Sequence, residues 1–238
     1  MNRPVTTVIR LFCVGALAGL VGCARAETPA DSSGQAASAG QQSSTPDPAT
    51  AGALPRIVFL GDSLTAGLGI AKEDAVPALI QKRLRQEGYA YEVINAGNSG
   101  DTSDGGLTRL DWSLAGDVDV LVLELGANDG LRGLPPENTR KNLERIVETA
   151  KDRGIAVLLT GMEAPPNYGP AYTSQFRDTF RRVAEEEDVA FMPFFLEGVA
   201  GVARLNQPDG IHPTAEGARI IAANVWRYLE PLLMKTRS

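Results

Sequence analysis

DVLVLELG, at residues 119–126, is the stretch that decides the fold. It is a nearly continuous run of Val and Leu that ends at a glycine, and IAVLLTG at residues 155–161 has the same character. Apolar runs of this length are typical of parallel strands that are covered on both faces. The two runs therefore predict that a parallel sheet forms the centre of the protein.

Three further β-rich runs extend this sheet. They are RIVFLG at residues 56–61, YEVINA at residues 91–96 and VAFMPF at residues 189–194. Helical patterns occupy the chain between and after the strands. The alternation predicts an α/β fold, a single doubly wound (flavodoxin-like) sandwich with a central five-stranded parallel sheet.

Two of the helical patterns can be read residue by residue. In residues 137–154 one helical face carries only apolar side chains, namely Leu143, Ile146, Val147 and Ala150. Gly154 suits the end of that helix, because glycine readily adopts the left-handed conformation of a C-terminal cap. A last helix is predicted from near Thr214, with apolar residues at four-residue spacing: Ile221, Val225 and Leu229.

The first 22 residues have the pattern of an export signal. Arg3 and Arg10 form a positive region, and the apolar stretch at residues 11–22 is too short to span a membrane as a mature helix. LVGC at residues 20–23 resembles the bacterial lipobox, so residues 1–22 are predicted to be a lipoprotein signal peptide and Cys23 the lipidated residue. A plain secretory signal with an accidental cysteine is the alternative. Ala24 is not an aspartate-type retention signal, which favours the outer membrane, facing the periplasm, over the inner membrane.

Residues 23–54 are predicted to be a disordered tether behind the lipid anchor. Residues 24–54 contain no aromatic side chain and consist mainly of Ala, Ser, Gly, Gln, Pro and Thr. Such a segment cannot bury enough apolar surface to offset the entropy that ordering costs. The folded domain is therefore expected to comprise residues 55–238.

Composition excludes several classes of partner. The formal net charge of −6 offers no basic face for nucleic acid. The loop after the first strand has no G-x-G-x-x-G or Walker pattern, so no cofactor is predicted and a flavodoxin-like cofactor binder is disfavoured. With a single histidine in the chain, no His/Cys zinc cluster can form, and no metal site is predicted, although a carboxylate-only site stays open.

Polar loops follow three of the predicted strands, at the sheet edge where α/β proteins bind their ligands. Ser63 lies in the first of these loops, GDSLTAG at residues 61–67. His212 is the only imidazole available as a base, and Asp209 precedes it by three residues, close enough to accept a hydrogen bond from Nδ1. At this point Ser63 could equally cap a helix, and His212 could be a satisfied surface residue.

Four sequence blocks in this order resemble the GDSL, or SGNH, hydrolase family. They are GDSL at residues 61–64, SGDTS at 99–103, GANDG at 126–130 and DGIHP at 209–213. The resemblance is closest to the branch that contains bacterial multifunctional thioesterase I/lysophospholipase L1 and related arylesterases, and it covers residues 56 to about 233.

The resemblance implies a role for individual residues. Ser63 is the expected nucleophile, His212 the general base and Asp209 the residue that orients His212. The expected oxyanion hole combines the backbone N–H groups of Ser63 and Gly100 with the side-chain amide of Asn128. The acyl chain is expected along apolar walls that include Leu131, Leu134, Pro165 and Tyr168.

The sequence thus predicts a serine ester hydrolase that acts through an acyl-enzyme on small-molecule or lipid carboxylic esters and possible thioesters. Export makes lysophospholipids or other envelope esters more plausible substrates than cytosolic acyl thioesters. Two alternatives stay open, a non-catalytic lipoprotein binding module on the same fold and a carbohydrate-ester deacetylase.

Overall fold

The structure, a computed structural model, describes residues 54–236 of the 238-residue chain. The predictions for the signal peptide, for Cys23 and for the tether up to residue 53 lie outside the described residues. Within the described part of the chain, no helix is both long enough and apolar enough to cross a membrane.

Five parallel strands form one sheet in the order β2-β1-β3-β4-β5. The strands are β1 (Arg56–Gly61), β2 (Glu92–Gly97), β3 (Val118–Glu124), β4 (Ala156–Thr160) and β5 (Ala190–Met192). This is the predicted α/β fold with a central five-stranded parallel sheet, and the prediction is confirmed.

Eight α-helices accompany this sheet in residues 54–236. They are α1 (Ser63–Ala66), α2 (Val76–Gln86), α3 (Ser103–Thr108), α4 (Leu110–Ser113), α5 (Ala127–Leu131), α6 (Pro136–Asp152), α7 (Pro170–Glu186) and α8 (Ala215–Thr236). Short 3-10 helices span Lys72–Asp74, Pro166–Tyr168 and Ala203–Leu205. Helix α2 packs against α8, whereas α6 packs against α7 and α3. Right-handed crossovers place these two groups on opposite faces of the sheet.

The predicted apolar faces form the core. Leu143, Ile146, Val147 and Ala150 of α6 are completely buried, as are Ile221, Val225 and Leu229 of α8. Gly154 follows α6 with φ of +74°, the left-handed conformation expected for the residue after a helix.

Strand β5 is shorter than the predicted run at residues 189–194. It ends at Met192 because the carbonyl of Gly161 accepts the N–H of Phe195 at 3.0 Å and not that of Phe194, so the regular ladder with β4 stops there. The carbonyl of Met192 accepts a hydrogen bond from the N–H of Gly161 at 2.7 Å, which is the last regular bond between β5 and the end of β4.

The strand order sets the position of a ligand site. Strand β1 lies between β2 and β3, so the chain leaves β1 towards one edge of the sheet and later returns past it to β3. In open parallel sheets, such a reversal opens a crevice beyond the carboxyl ends of the two strands. The loops that follow Gly61 and Glu124 border this crevice.

Candidate active site

Ser63 stands at the turn between β1 and α1. The side chain of Asp62, not that of Ser63, caps the helix, because its Oδ1 atom accepts the N–H of Leu64 at 3.0 Å. The interpretation of Ser63 as a helix cap is therefore wrong. A Cβ atom on Gly61 would lie 2.1 Å from Oγ1 of Thr65 and 2.7 Å from the carbonyl oxygen of Glu124, so only glycine allows this tight turn.

Three side chains are hydrogen-bonded in series at this edge of the sheet. The Nε2 atom of His212 lies 2.9 Å from the Oγ atom of Ser63. On the other side of the ring, Nδ1 lies 2.7 Å from Oδ2 of Asp209. A neutral imidazole that donates from Nδ1 to a carboxylate presents Nε2 as an acceptor, which is the tautomer needed to take a proton from a serine.

Local hydrogen bonds hold Asp209 in its ionised form. Its Oδ1 atom accepts the backbone N–H groups of Ile211 and His212 at 2.9 and 3.0 Å. These backbone bonds, that of His212 first, and the bond to the His212 ring lower the pKa of Asp209 to about 2. Asp209 therefore keeps its negative charge beside the imidazole throughout the neutral pH range.

A small closed loop carries both Asp209 and His212. At its base the N–H of Gln207 donates to the carbonyl of His212 at 2.7 Å, and Thr214 donates to the carbonyl of Leu205 at 2.9 Å. The side chain of Gln207 also fastens the loop to the turn after α1, by donating to the carbonyl of Leu68 at 2.7 Å.

The two other residues of the expected oxyanion hole lie in α5 and in the loop between β2 and α3, and a hydrogen bond joins these two segments. The Nδ2 atom of Asn128 donates to Oδ2 of Asp62 at 3.0 Å and to the carbonyl of Asp101 at 2.9 Å. Gly100 precedes Asp101 and adopts φ of +89°, which favours glycine. A Cβ atom on Gly100 would meet nothing within 4 Å, so the space beside its backbone is open.

Two buried carboxyl groups lie beneath the Ser63 turn. Glu124 ends β3, and its Oε2 atom accepts the N–H of Asp62 at 3.3 Å and the hydroxyl of Thr65 at 2.8 Å. Both acidic side chains are fully buried. Burial raises the pKa of Asp62 to about 6, and burial followed by the neighbouring Asp62 raises the pKa of Glu124 well above its usual value. Sequence reasoning missed Glu124, although an acid that interrupts the apolar run of β3 is a visible signal.

Asp129, the other acid beside the expected oxyanion residues, forms hydrogen bonds that hold neighbouring segments together. Its carboxylate accepts the N–H and the hydroxyl of Ser103 at 2.8 and 2.6 Å and the hydroxyl of Thr139 at 3.0 Å. Three donors satisfy this buried carboxylate within the protein, so it connects α3 and α6 to α5.

A largely apolar cavity of about 310 Å³ adjoins the Ser63 turn. Among its lining residues are Leu64, Leu131, Met162, Pro165, Phe194 and Ile211. Leu131 and Pro165 were predicted, whereas Leu64, Phe194 and Ile211 were not.

Leu134 and Tyr168, also predicted as wall residues, do not line this cavity. Each takes part in a hydrogen bond with another residue instead. The Tyr168 hydroxyl donates to the carbonyl of Leu131 at 2.9 Å, and the carbonyl of Leu134 accepts from the Tyr172 hydroxyl at 2.7 Å. Tyr168 therefore braces the wall residue Leu131 from outside the cavity.

In residues 54–236, no group of three or more His, Cys, Asp or Glu side chains is arranged to hold a metal ion. The polar atoms of the site belong to a serine hydroxyl, an imidazole and a carboxylate that are hydrogen-bonded in series. This arrangement can transfer a proton from the hydroxyl to the imidazole.

A serine, a histidine and an aspartate that are hydrogen-bonded in this order form an arrangement that recurs in serine hydrolases of unrelated folds. The chain belongs to the GDSL-like lipase/acylhydrolase family, whose family model matches residues 59–220. It is an ester-hydrolysing enzyme of that family, as the sequence predicted.

Three relatives illustrate the similarity. Esterase TesA of Pseudomonas aeruginosa is 47% identical over 182 residues, which cover 76% of this chain and 90% of TesA. Thioesterase 1/protease 1/lysophospholipase L1 of Escherichia coli K12 is 38% identical over 184 residues, covering 77% of this chain and 87% of that protein. The crystal structure of the psychrotrophic esterase EstA from Pseudoalteromonas sp., inhibited by monoethylphosphonate, has a TM-score of 0.71 and 34% identity, and covers 75% of this chain and 98% of EstA.

Proposed function

We propose that this enzyme hydrolyses carboxylic esters through an acyl-enzyme, with Ser63 as the nucleophile, His212 as the general base and Asp209 as the residue that orients His212. The observation that carries the proposal is the 2.9 Å contact between Oγ of Ser63 and Nε2 of His212. A serine hydroxyl is a weak nucleophile until a base within hydrogen-bond distance accepts its proton.

The proposed reaction has two halves that use the same proton carrier. In acylation, Oγ of Ser63 attacks the ester carbonyl while Nε2 of His212 takes the hydroxyl proton, and His212 then gives this proton to the departing alcohol. In deacylation, a water molecule loses its proton to His212 and attacks the acyl-serine, and the proton returns to Oγ as the acid leaves. Asp209 stabilises the imidazolium that forms in each half.

The proposed oxyanion hole receives the negative charge that develops on the carbonyl oxygen. The N–H groups of Ser63 and Gly100 and the amide of Asn128 are its proposed donors, and the open space at Gly100 gives a carbonyl oxygen room to approach. Both Nδ2 hydrogens of Asn128 are donated within the protein, to Asp62 and Asp101, so Asn128 joins the oxyanion hole by exchanging one of these bonds for the oxyanion. A fixed donor of this kind is worth about 3 to 4 kcal/mol in the transition state.

The substrate class follows from the cavity beside the Ser63 turn. Its wall is lined mainly by apolar side chains such as Leu131, Met162 and Phe194, which suit a hydrocarbon chain on the acyl side of the ester. The esterase and thioesterase names of the relatives support oxygen esters and thioesters alike. We therefore propose small-molecule and lipid acyl esters, with lysophospholipids among them.

Location would decide which of these esters the enzyme meets. We propose that the chain is an exported lipoprotein, anchored through lipid on Cys23 and facing the periplasm from the outer membrane. The lipobox-like LVGC at residues 20–23 supports this proposal. Metabolic labelling with a clickable fatty acid tests it: the wild type is expected to incorporate label and Cys23→Ser to incorporate none. Equal labelling of both proteins contradicts the anchor.

A serine-directed fluorophosphonate, combined with a panel of p-nitrophenyl esters of graded chain length, lysophosphatidylcholine and an acyl thioester, tests the proposed function. The wild type is expected to be labelled at Ser63 and to hydrolyse members of the panel, and Ser63→Ala to lose both while keeping its thermal unfolding midpoint. Full hydrolysis by a folded Ser63→Ala variant contradicts the nucleophile. A wild type that is neither labelled nor active supports a binding module, and activity confined to acetylated sugars supports a carbohydrate-ester deacetylase.

A further inference from the structure

Arg109 lies between two of the loops that border the site, and its guanidinium contacts both. The Nη2 atom donates to the carbonyl of Gly61 at 2.8 Å, two residues before Ser63. The Nε atom donates to Oδ2 of Asp101 at 2.6 Å, one residue after Gly100. Nη1 donates to the hydroxyl of Ser113 at 3.2 Å, which fixes the guanidinium on its third side.

These contacts form part of a closed ring of hydrogen bonds. From Asp101 the ring continues through the backbone carbonyl to the amide of Asn128, and from Asn128 to the carboxylate of Asp62. Asp62 is bonded covalently to Gly61, where the ring began. The ring therefore ties together the three loops that carry the proposed oxyanion donors, and Arg109 is its only cationic member.

The ion pair in this ring is well shielded. The side chains of Arg109 and Asp101 are 19% and 13% exposed. The second oxygen of the Asp101 carboxylate is also occupied, because it accepts the Nδ2 atom of Asn98 at 2.6 Å. A half-buried guanidinium with donors to a carbonyl, a carboxylate and a hydroxyl fixes direction as well as distance, which the single ammonium of a lysine cannot reproduce.

We propose that Arg109 is a positioning residue for the oxyanion hole: it sets the spacing between the Ser63 turn and the Gly100 loop. This inference rests on the proposed function. Arg109 acts through the backbone and does not touch the substrate in this arrangement. Its contribution appears in the transition state, where the carbonyl oxygen carries charge and a donor displaced by a fraction of an ångström is less effective.

The Arg109→Lys variant tests the inference. It keeps the positive charge but cannot span the carbonyl of Gly61 and the carboxylate of Asp101 together. We expect kcat to fall by about 10- to 100-fold with KM within about twofold of the wild type, the pattern of an interaction made in the transition state. Every rate is divided by the number of sites that react with the fluorophosphonate, so that a smaller folded fraction does not imitate the effect.

Arg153→Lys is the matched control. Arg153 pairs with Asp111, whose side chain is 87% exposed, and neither residue is a member of the ring. Its kcat per labelled site is expected to equal that of the wild type.

Arg109→Ala adds a second measurement, since guanidinium ions at millimolar concentration should restore part of its kcat while sodium chloride at the same ionic strength should not.

A kcat per labelled site in Arg109→Lys that stays within twofold of the wild type overturns the inference. Equal activation of Arg109→Ala by guanidinium and by sodium chloride overturns it as well. These results leave the proposed function intact as long as Ser63→Ala is inactive. A folded Ser63→Ala variant with full hydrolysis removes the proposed function itself, and with it the role assigned to Arg109.

Discussion

The Nε2 atom of His212 lies 2.9 Å from the Oγ atom of Ser63, although 149 positions separate the two residues along the chain. The contact is made by two short loops, the turn after β1 and the loop before α8. Its chemistry depends on a pair of atoms, so removing either partner should have nearly the same effect as removing both.

The first prediction concerns this pair. His212→Gln is expected to abolish the p-nitrophenol burst and to lower kcat by about 10³-fold or more, because the serine then has no base. The double variant Ser63→Ala/His212→Gln should be no slower than either single variant, since groups that act as a unit are strongly non-additive. A normal burst in His212→Gln, or a double loss equal to the product of the single losses, contradicts the assignment.

The second prediction concerns Asp209. Asp209→Asn is expected to lower kcat by about 10²- to 10⁴-fold, because the amide cannot stabilise the imidazolium and favours the wrong tautomer. Since the pKa of Asp209 is held at about 2, its titration should contribute nothing to the activity profile above about pH 4. Wild-type kcat in Asp209→Asn, measured by stopped-flow with a p-nitrophenyl ester, contradicts this role.

The third prediction concerns stability and the two buried acids beneath Ser63. Asp62, with its pKa raised to about 6, binds a proton in the folded protein at pH values where the unfolded chain has released it. Glu124, whose pKa is raised by burial and then by the neighbouring Asp62, behaves in the same way. The free energy of unfolding should therefore fall as the pH rises from about pH 4, the pKa range of unfolded carboxyl groups, through the raised pKa values of the folded protein.

Glu124→Gln tests this dependence, because the amide is neutral at every pH and can still accept from Thr65. Its stability relative to the wild type, from urea titrations, is expected to be more favourable at about pH 8 than at about pH 5. Glu148→Gln, at an exposed position of α6, is the matched control. A difference between wild type and Glu124→Gln that is independent of pH contradicts the buried charge.

The fourth prediction concerns the cavity. Ala164 is among its lining residues, and Ala164→Leu adds apolar volume there. We expect kcat/KM for p-nitrophenyl octanoate to fall by roughly 10- to 100-fold relative to the acetate ester, because the longer chain loses its space. Trp112→Ala is the control, since this side chain is 77% exposed and does not line the cavity. An unchanged ratio of octanoate to acetate activity would show that the acyl chain lies elsewhere.

Much of the architecture could be predicted from local patterns in the sequence. The run at residues 56–61 matches β1 at both ends, because a short apolar run followed by Gly-Asp leaves little choice of boundary. The face of α6 was equally clear from its spacing. The shorter β5 could not be predicted from its apolar run, because the strand ends at a change of register against the residue after β4, Gly161.

The connections within the site were less predictable. The three-residue spacing between Asp209 and the single histidine, His212, predicted that these two side chains are in contact. The family blocks predicted Ser63 as the nucleophile. Arg109 reaches Gly61 across 48 positions, and Glu124 meets Asp62 across 62. Such contacts depend on which strands become neighbours, and no periodicity in the sequence encodes that. Tyr168 was predicted as a wall residue, but it does not line the cavity, and its hydroxyl donates to the carbonyl of Leu131 instead.

One loop carries both Asp209 and His212, so a single local opening would remove the acid and the base from the site together. It is fastened at its base by the bond between Gln207 and the carbonyl of His212, and to the rest of the site by the Gln207 side chain. If this loop opens, the acid and the base depart together and the serine is left alone on an intact sheet. Heat or mild denaturant should then abolish activity reversibly under conditions in which the core is still folded. Activity would therefore measure whether this one loop is closed.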